Sequence, residues 1–244
     1  MSATYLESAA PGPLASHACC VWSNAAGDGD HVERVLPDGC ADIVWIDGEG
    51  LAVAGPATRE VLVDIPAGAA AVGVRFGPGA AGAALGVAAH ELRDRNVALE
   101  DVWGAQATRL AERLAAAPPD ARLALLAAAV AARLEGARAP DPLVTRASGL
   151  LSRGLPVSAA SREVALTERH LRRRFHDAVG YGPKTLQRVM RLHRFLALAE
   201  YGPSAELARV AAEAGYADQP HLTRECAELA GLPPAALLAS RAAV

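Results

Sequence analysis

The last hundred residues of the chain repeat at a spacing of 51 residues, and this duplication constrains the fold more than any other feature. The segment His170-Leu-Arg-Arg173 aligns with His221-Leu-Thr-Arg224. Residues suited to cap, end or start a helix align on either side, namely Thr167 with Asp218, Gly180 with Gly231, and Pro183 with Pro234. A cap, a helix, a glycine stop and a restarting proline, present twice, predict two helix-turn-helix units.

The region from Asp141 onward is predicted to contain only helices. Proline and glycine separate seven of them, over 142–152, 157–164, 168–178, 184–201, 204–213, 219–229 and 234–241. The longest carries basic residues on one stripe, at Lys184, Arg188, Arg191 and Arg194. Such a helix can hold two recognition helices at a fixed separation, so that they enter successive major grooves about 34 Å apart.

The preceding residues predict a different architecture. Turn signals and short β-rich runs continue to about residue 78, with strands expected at 43–46, 61–65 and 72–76. From about 80 to 136 the apolar spacing becomes helical. We therefore expect a two-domain α+β protein: residues 1–138 form a small β-sheet or barrel with packed helices, and residues 142–241 form an all-α domain.

Charge divides the chain in the same way. Residues 1–141 contain 10 arginines and 18 acidic residues, a net charge of −8, whereas residues 142–244 contain 14 basic and 9 acidic residues, a net charge of +5. The C-terminal half is thus the one suited to a polyanion. Within it, residues 142–197 carry +8 and residues 198–244 carry −3, so attraction to phosphates should come mainly from the first unit.

The helix predicted at 168–178 has two distinct faces. Leu171, Phe175 and Val179 recur every four residues and predict a buried stripe. Arginine can donate two hydrogen bonds to guanine, so the polar face supplies the candidate base contacts Arg169, Arg172 and Arg173. Further candidates, for phosphate contacts, are Arg174, His176, Lys184, Arg188 and Arg191. A merely solvated helix face is the alternative for this arginine run.

These motifs resemble the AraC/XylS family of transcription regulators. The likeness covers about 142–240 and is carried by Ser158 to Phe175, by Gly180-Tyr-Gly-Pro183, by Gly215-Tyr-Ala-Asp-Gln-Pro-His-Leu-Thr-Arg224 and by Gly231-Leu-Pro-Pro234. It implies a sequence-specific regulator of double-stranded DNA whose second recognition helix presents Gln219, His221, Thr223 and Arg224. The chain departs from the family pattern at Ala165, where glycine is usual and φ is expected to be positive, and at Pro220, Glu225, Cys226 and Glu228.

The N-terminal half is similar to a small cupin-like domain found ahead of some AraC-type DNA-binding domains. The similarity is carried by Leu36 to Trp45, Ala54-Gly-Pro56 and Gly73 to Gly79. It implies a regulatory role, through an effector or a partner at this domain. RNA polymerase is an expected partner, and a small-molecule effector and a homodimer are left open.

Three other classes of function are alternatives. The N-terminal Cys and His residues could make a metal- or thiol-responsive regulator, and their set is His17, Cys19, Cys20, His31 and Cys40. A cupin-like enzyme with an accessory helical domain has little support, because the β-rich region offers few ligands and no nucleophile motif. A domain that has lost DNA binding is a third alternative. We expect no catalysis, no cofactor, no membrane span and a cytoplasmic location.

Overall fold

A computed structural model describes residues 4–200 and 207–242. Its N-terminal half is built on antiparallel strands, and the three predicted strands are present, one with the predicted bounds and two within longer strands. In chain order the strands are β1 Thr4–Ala9, β2 Ala18–Ala25, β3 His31–Val35, β4 Ala41–Ile46, β5 Gly50–Ala54, β6 Val61–Ile65, β7 Ala70–Phe76 and β8 Asn96–Ala98. Six form one sheet in the order β1-β2-β7-β4-β5-β8, and β3 pairs with β6.

The centre of this sheet follows from alternation along β4 and β7. Ile43 and Trp45 of β4 are buried, and Ile43 lies opposite Val74 of β7. Side chains of one parity therefore face the core, as expected of a half-buried strand. In the part of the chain that the structure describes, the six-stranded sheet ends in two edges at β1 and β8, so the structure shows a sheet where the sequence left sheet or barrel open.

Five helices cover the core face of the sheet or extend from it: α1 Ala81–Leu85, α2 Ala89–Leu92, α3 Leu99–Trp103, α4 Ala105–Ala116 and α5 Pro119–Leu134. Leu114, Leu126 and Val130 are fully buried against the sheet, and the guanidinium of Arg122 stacks 4.4 Å from the ring centroid of Trp45. The prediction that this segment is purely helical was wrong at β8, which is short and lies at a sheet edge.

The C-terminal half of the described chain is helical. Its elements are α6 Pro142–Ser152, α7 Val157–Glu163, α8 Glu168–Val179, α9 Pro183–Glu200, α10 Leu207–Ala214, α11 Gln219–Ala230 and α12 Pro234–Ala242. The seven predicted helices are present, with ends within a few residues, although the predicted start at 204 lies outside the described residues. Two cores form, one around Phe175 and one around Phe195, and Met190 of α9 packs against both.

The two halves pack closely against each other. A Cβ added at Gly39, which has φ +85°, would lie 2.7 Å from Cδ1 of Leu186 in α9. Next to it, Nε2 of His193 donates to the carbonyl oxygen of Pro37 at 2.7 Å. The Pro37-Asp-Gly39 turn is therefore a contact between the halves as well as a connection before β4. No helix among the described residues is long and apolar enough to span a membrane.

Candidate nucleic-acid interface

The turn between α7 and α8 ends α7 with one residue, Ala165, in the left-handed conformation. The amide of Ala165 donates to the carbonyl of Arg162 at 3.0 Å, and the amide of Leu166 donates to the carbonyl of Ser161 at 2.9 Å. This pair of bonds is the Schellman arrangement. Ala165 has φ 54°, a left-handed conformation that strains a residue with a Cβ. Thr167 then caps α8 by accepting from the amide of His170 at 3.2 Å.

The second unit repeats this turn with one residue more. The amides of Gly215 and Tyr216 donate to Ala212 and Ala211 at 3.0 and 2.9 Å. Asp218 caps α11 by accepting from the amide of His221 at 2.7 Å. One residue separates Ala165 from the N-cap Thr167, whereas two separate Gly215 from Asp218. The duplication is therefore structural, but its two copies are not identical.

The predicted division of α8 into two faces is confirmed. Leu171 and Phe175 are fully buried and Val179 nearly so. Opposite them, three candidate base-contacting side chains are exposed and form no ion pair with any described residue, namely Arg169, Arg172 and Arg173. This face presents unneutralised guanidinium groups beside the N-terminus of a helix, where the backbone also favours anions.

Two further candidates on α8 are engaged within the protein. Nη1 of Arg174 lies 2.5 Å from Oδ2 of Asp141, the N-cap of α6. Arg174 donates to this carboxylate, which keeps the pKa of Asp141 below its usual range although burial acts the other way. His176 lies against His90 of α2, with ring centroids 4.3 Å apart. Both side chains therefore have structural partners at positions predicted to contact phosphates.

The candidate base contacts of α11 offer less unpaired charge than those of α8. Gln219, Thr223 and Arg224 are exposed, but the hydroxyl of Thr223 donates to the carbonyl of Gln219 at 3.0 Å. His221 lies against its own turn, where Nδ1 accepts from the amide of Ala217 at 3.3 Å. Arg224 is thus the candidate of this helix whose charge meets no counter-ion among the residues described.

Glu225 joins α11 to α9 and neutralises part of the basic stripe on α9. Its carboxylate accepts from Nε of Arg188 at 2.8 Å and from Nε of Arg191 at 3.0 Å, and Arg188 also pairs with Glu228. Burial alone would raise the pKa of Glu225, but the bonds from Arg191 and Arg188 outweigh it and leave that pKa below its ordinary value.

The same position in the repeat therefore serves both units with opposite charge. Glu225 aligns with Arg174, which pairs with Asp141. In each copy this side chain ties the second helical turn to a neighbouring helix. The sequence indicated unusual charges in the second unit, and the structure shows what they contact. Lys184 stays exposed at the start of α9, and Arg194 donates to the carbonyls of Ser152 and Ala214.

Two arginines of the N-terminal half reach the C-terminal ends of α8 and α11. Nη1 of Arg93 donates to the carbonyl of Gly180 at 3.4 Å, and Nη1 of Arg34 donates to the carbonyl of Ala230 at 2.9 Å. Cations are favourable at helix C-termini, where carbonyls lack partners. The N-terminal half therefore caps both helices at the ends opposite their exposed arginines. No local sequence signal indicated either contact.

The N-terminal cysteines and histidines do not assemble as one group. His17 lies near the carbonyl of Arg138, and His31 lies near Glu33 on β3. The thiol of Cys19 donates to the carbonyl of Arg75 at 3.3 Å, and the influence of Cys40 lowers the pKa of the exposed Cys19 to about 7. Among the described residues, the one group of three side chains able to hold a metal lies elsewhere, at His90, His176 and Asp177.

Comparison with known families agrees with the duplicated helical region. Residues 160–240 match a family model described as a helix-turn-helix domain. Residues 7–98 match a domain of unknown function, DUF6597. The resemblance on which the sequence prediction depended is confirmed: the chain carries an AraC/XylS-type helix-turn-helix domain behind a separate N-terminal domain and is a DNA-binding transcription regulator. No curated protein sequence matches the chain at a significant level.

Solved structures with some likeness include two of ToxT from Vibrio cholerae. One crystal structure of ToxT is 11% identical, with a TM-score of 0.45 over 88% of this chain and 98% of that one. A second, of wild-type ToxT with an unsaturated fatty acid bound, is 11% identical, with a TM-score of 0.41 over 86% and 94%. Both scores are low, so the fold described here depends on the chain's own strands and helices.

Proposed function

We propose that this regulator binds DNA by placing the N-terminal halves of α8 and α11 in successive major grooves, with α8 as the main anchor. The proposal depends on which arginines form ion pairs within the protein and which do not. Arg169, Arg172 and Arg173 are exposed and form no ion pair among the described residues, whereas Arg174, Arg188 and Arg191 all pair with carboxylates. An arginine without a counter-ion is the one that can bind guanine or phosphate without breaking an existing bond.

The connecting helix then acts mainly as a spacer. Because Glu225 and Glu228 neutralise Arg188 and Arg191, the basic residues of α9 left without a carboxylate partner among the described residues are Lys184 and Arg194, and Arg194 is held by the carbonyls of Ser152 and Ala214. On α11, Arg224 remains as a base or phosphate contact, with Gln219 and Thr223 beside it. Residues 142–197 carry a net charge of +8 and residues 198–244 a net charge of −3. Together with these contacts, the charges favour different roles for the two helices: α8 supplies most of the affinity, and α11 fixes the position of the protein along the duplex.

We place control of this activity at the contact between the two domains. An open cleft of about 530 Å³ lies there, a size typical of small-molecule sites. Arg59 and Arg93 line it from the N-terminal domain, and Tyr181 and Arg188 line it from the DNA-binding domain. The buried hydroxyl of Tyr181 has no hydrogen-bond partner among the described residues. A polar effector in this cleft would contact both domains. Contacts with RNA polymerase and a homodimer stay predictions.

The test is a binding titration with the full chain and labelled duplexes from the region upstream of its own coding sequence. Affinity should fall steeply with salt, because arginines displace counter-ions from the phosphates. Replacement of Arg169, Arg172 and Arg173 by alanine, singly, should weaken binding at fixed salt by about 1–3 kcal/mol for each base contact. Arg109→Ala, an exposed arginine on α4, is the matched control. Unchanged affinity in all three variants would refute the proposal.

A further inference from the structure

The packing of α2 against α8 brings together three side chains with metal-ligating atoms. His90 lies on α2, and His176 and Asp177 lie in the last turn of α8. One candidate ligand atom from each side chain lies within 4.8 Å of the other two. Nδ1 of His90 is 3.7 Å from Oδ1 of Asp177, and the two imidazole rings are tilted by 32° with centroids 4.3 Å apart. The group therefore spans the boundary between the domains.

The environment of His90 favours a cation at this group. Its Nδ1 atom is buried and has no hydrogen-bond partner within the part of the chain that the structure describes. At 3.7 Å, the Asp177 carboxylate is too distant to be one. Buried polar atoms are nearly always satisfied, and an exception calls for an explanation. A bound cation would satisfy Nδ1 and would also take up the charge of Asp177.

The donor set selects the class of cation. Two imidazoles and one carboxylate are ligands of Zn²⁺ and its neighbours in the first transition series, whereas Mg²⁺ and Ca²⁺ prefer oxygen ligands alone. Zinc bonds to nitrogen and oxygen are about 2.0–2.2 Å long, so tetrahedral ligands lie about 3.4 Å apart. His176 and Asp177 are exposed side chains and can close the remaining distance by rotation.

We propose that His90, His176 and Asp177 bind one divalent transition-metal ion of the zinc class and that this ion fastens the N-terminal domain to α8. Three protein ligands leave a fourth position for water. The bond would run from α2 directly to the helix that carries Arg169, Arg172 and Arg173, so metal supply would set how firmly that helix is held. The site itself does not depend on the proposed DNA contacts.

The test uses the full chain, stripped of metal with a chelator and then titrated with Zn²⁺ in competition with a chromophoric chelator. We expect one ion per chain with at least micromolar affinity. His90→Gln and His176→Gln should each weaken binding by tenfold or more. His170→Gln, an exposed histidine two turns before His176 on the same helix, is the matched control and should bind as the parent does. A stoichiometric site that persists in His90→Gln would overturn the proposal and direct attention to Cys19 and Cys40.

A second readout locates the effect on the fold. Zn²⁺ should slow amide hydrogen exchange in α2 and in the last turn of α8, both in the parent chain and in His170→Gln, but not in His90→Gln. Uniform or absent protection would contradict a link between the domains. Because neither measurement involves DNA, the metal proposal and the DNA-binding proposal can each fail without the other.

Discussion

Arg34 and Ala230 join the N-terminal domain to the end of α11: Nη1 of Arg34 donates to the carbonyl oxygen of Ala230 at 2.9 Å, and the same nitrogen lies 3.5 Å from Oε1 of Glu60. The arginine thus satisfies a terminal helix carbonyl and a carboxylate of its own domain together. Gly231 makes this approach possible, because a Cβ there would lie 2.0 Å from Oε1 of Glu60. The side chain of Arg34 is half-buried, so its removal should lower the stability of the fold.

Arg34→Ala should lower the free energy of unfolding by about 1–2 kcal/mol, since a charge-assisted hydrogen bond to a helix C-terminus is lost and Glu60 keeps its charge without this partner. Chemical unfolding at neutral pH gives the number, and hydrogen exchange should locate the loosening in the last turn of α11. Arg109→Ala, which removes an exposed arginine, should change stability by less than about 0.5 kcal/mol.

Ala165→Gly should stabilise the protein by about 1 kcal/mol. Ala165 has φ 54°, a left-handed conformation that costs a residue with a Cβ about 1–2 kcal/mol, part of which the greater chain entropy of unfolded glycine offsets. Gly215→Ala is the reciprocal change, because Gly215 has φ 94° in the matching turn and its surroundings leave ordinary room for a Cβ. That variant should lose stability, and a gain there would contradict the assignment of strain.

Arg173→Ala should weaken DNA binding more than Arg224→Ala. Both side chains are exposed, but Arg173 lies in the segment with a net charge of +8 and Arg224 in the segment with −3, so the field that draws phosphates to the first unit is stronger. Titrations of both variants against one duplex at one salt concentration decide the matter. Equal losses would mean that the two units share the affinity evenly.

Glu225→Gln should lower stability at neutral pH and steepen the salt dependence of DNA binding. Arg191 loses the carboxylate that neutralises it and becomes available to phosphates, whereas Arg188 loses one of its two partners and keeps the exposed Glu228. Because the pKa of Glu225 in the folded chain lies below its ordinary value of 4.5, its ion pairs contribute stability at neutral pH. This contribution disappears as the pH falls below about 4.5.

Unfolding measured at neutral and at acid pH checks the sign of that contribution. The parent should lose more stability than Glu225→Gln over this interval. Glu228→Gln is the control, because Glu228 is exposed and contacts Arg188 alone among the described residues. A parent and a Glu225→Gln variant with parallel pH profiles would show that the buried carboxylate contributes nothing.

Cys19 should be the fastest-reacting thiol of the chain. The influence of Cys40 lowers its pKa to about 7, whereas burial raises the pKa of Cys226 to about 12. The rate of alkylation at Cys19, followed by peptide mass spectrometry, should therefore rise with a midpoint near pH 7. Cys40→Ala should move that midpoint upward, towards the ordinary thiol value of 9. An unmoved midpoint would exclude Cys40 as the cause.

The sequence predicted the helical domain well because its signals are local. Caps such as Thr167 and Asp218 and stops such as Gly180 and Gly231 determine where helices begin and end. The strands that were not predicted are β1, β2, β3, β5 and β8. Of these, β1 and β8 offer no buried alternation. The contacts of Arg34 and Arg93 join residues 196 and 87 positions apart. Only the packing of the two domains brings such residues together.

Partial success at the candidate interface has the same cause. Helical spacing correctly placed Arg169, Arg172 and Arg173 on an exposed face. It also placed Arg188 and Arg191 on one stripe, but spacing along α9 carries no information about what packs beside it, and Glu225 comes from a helix about 35 residues later. Charge on a helix face predicts exposure more reliably than it predicts the partner.

The extra residue in the turn before α11 has a consequence for the shape of the target. A dimer of identical subunits imposes its twofold symmetry on DNA and favours palindromes. Here one polypeptide carries two helix-turn-helix units that differ in the length of their turns and in their net charge. In the proposed binding mode the two units would recognise two different half-sites in a fixed order. A single bound chain would then have a front and a back, and the orientation of its site would decide which side faces the promoter.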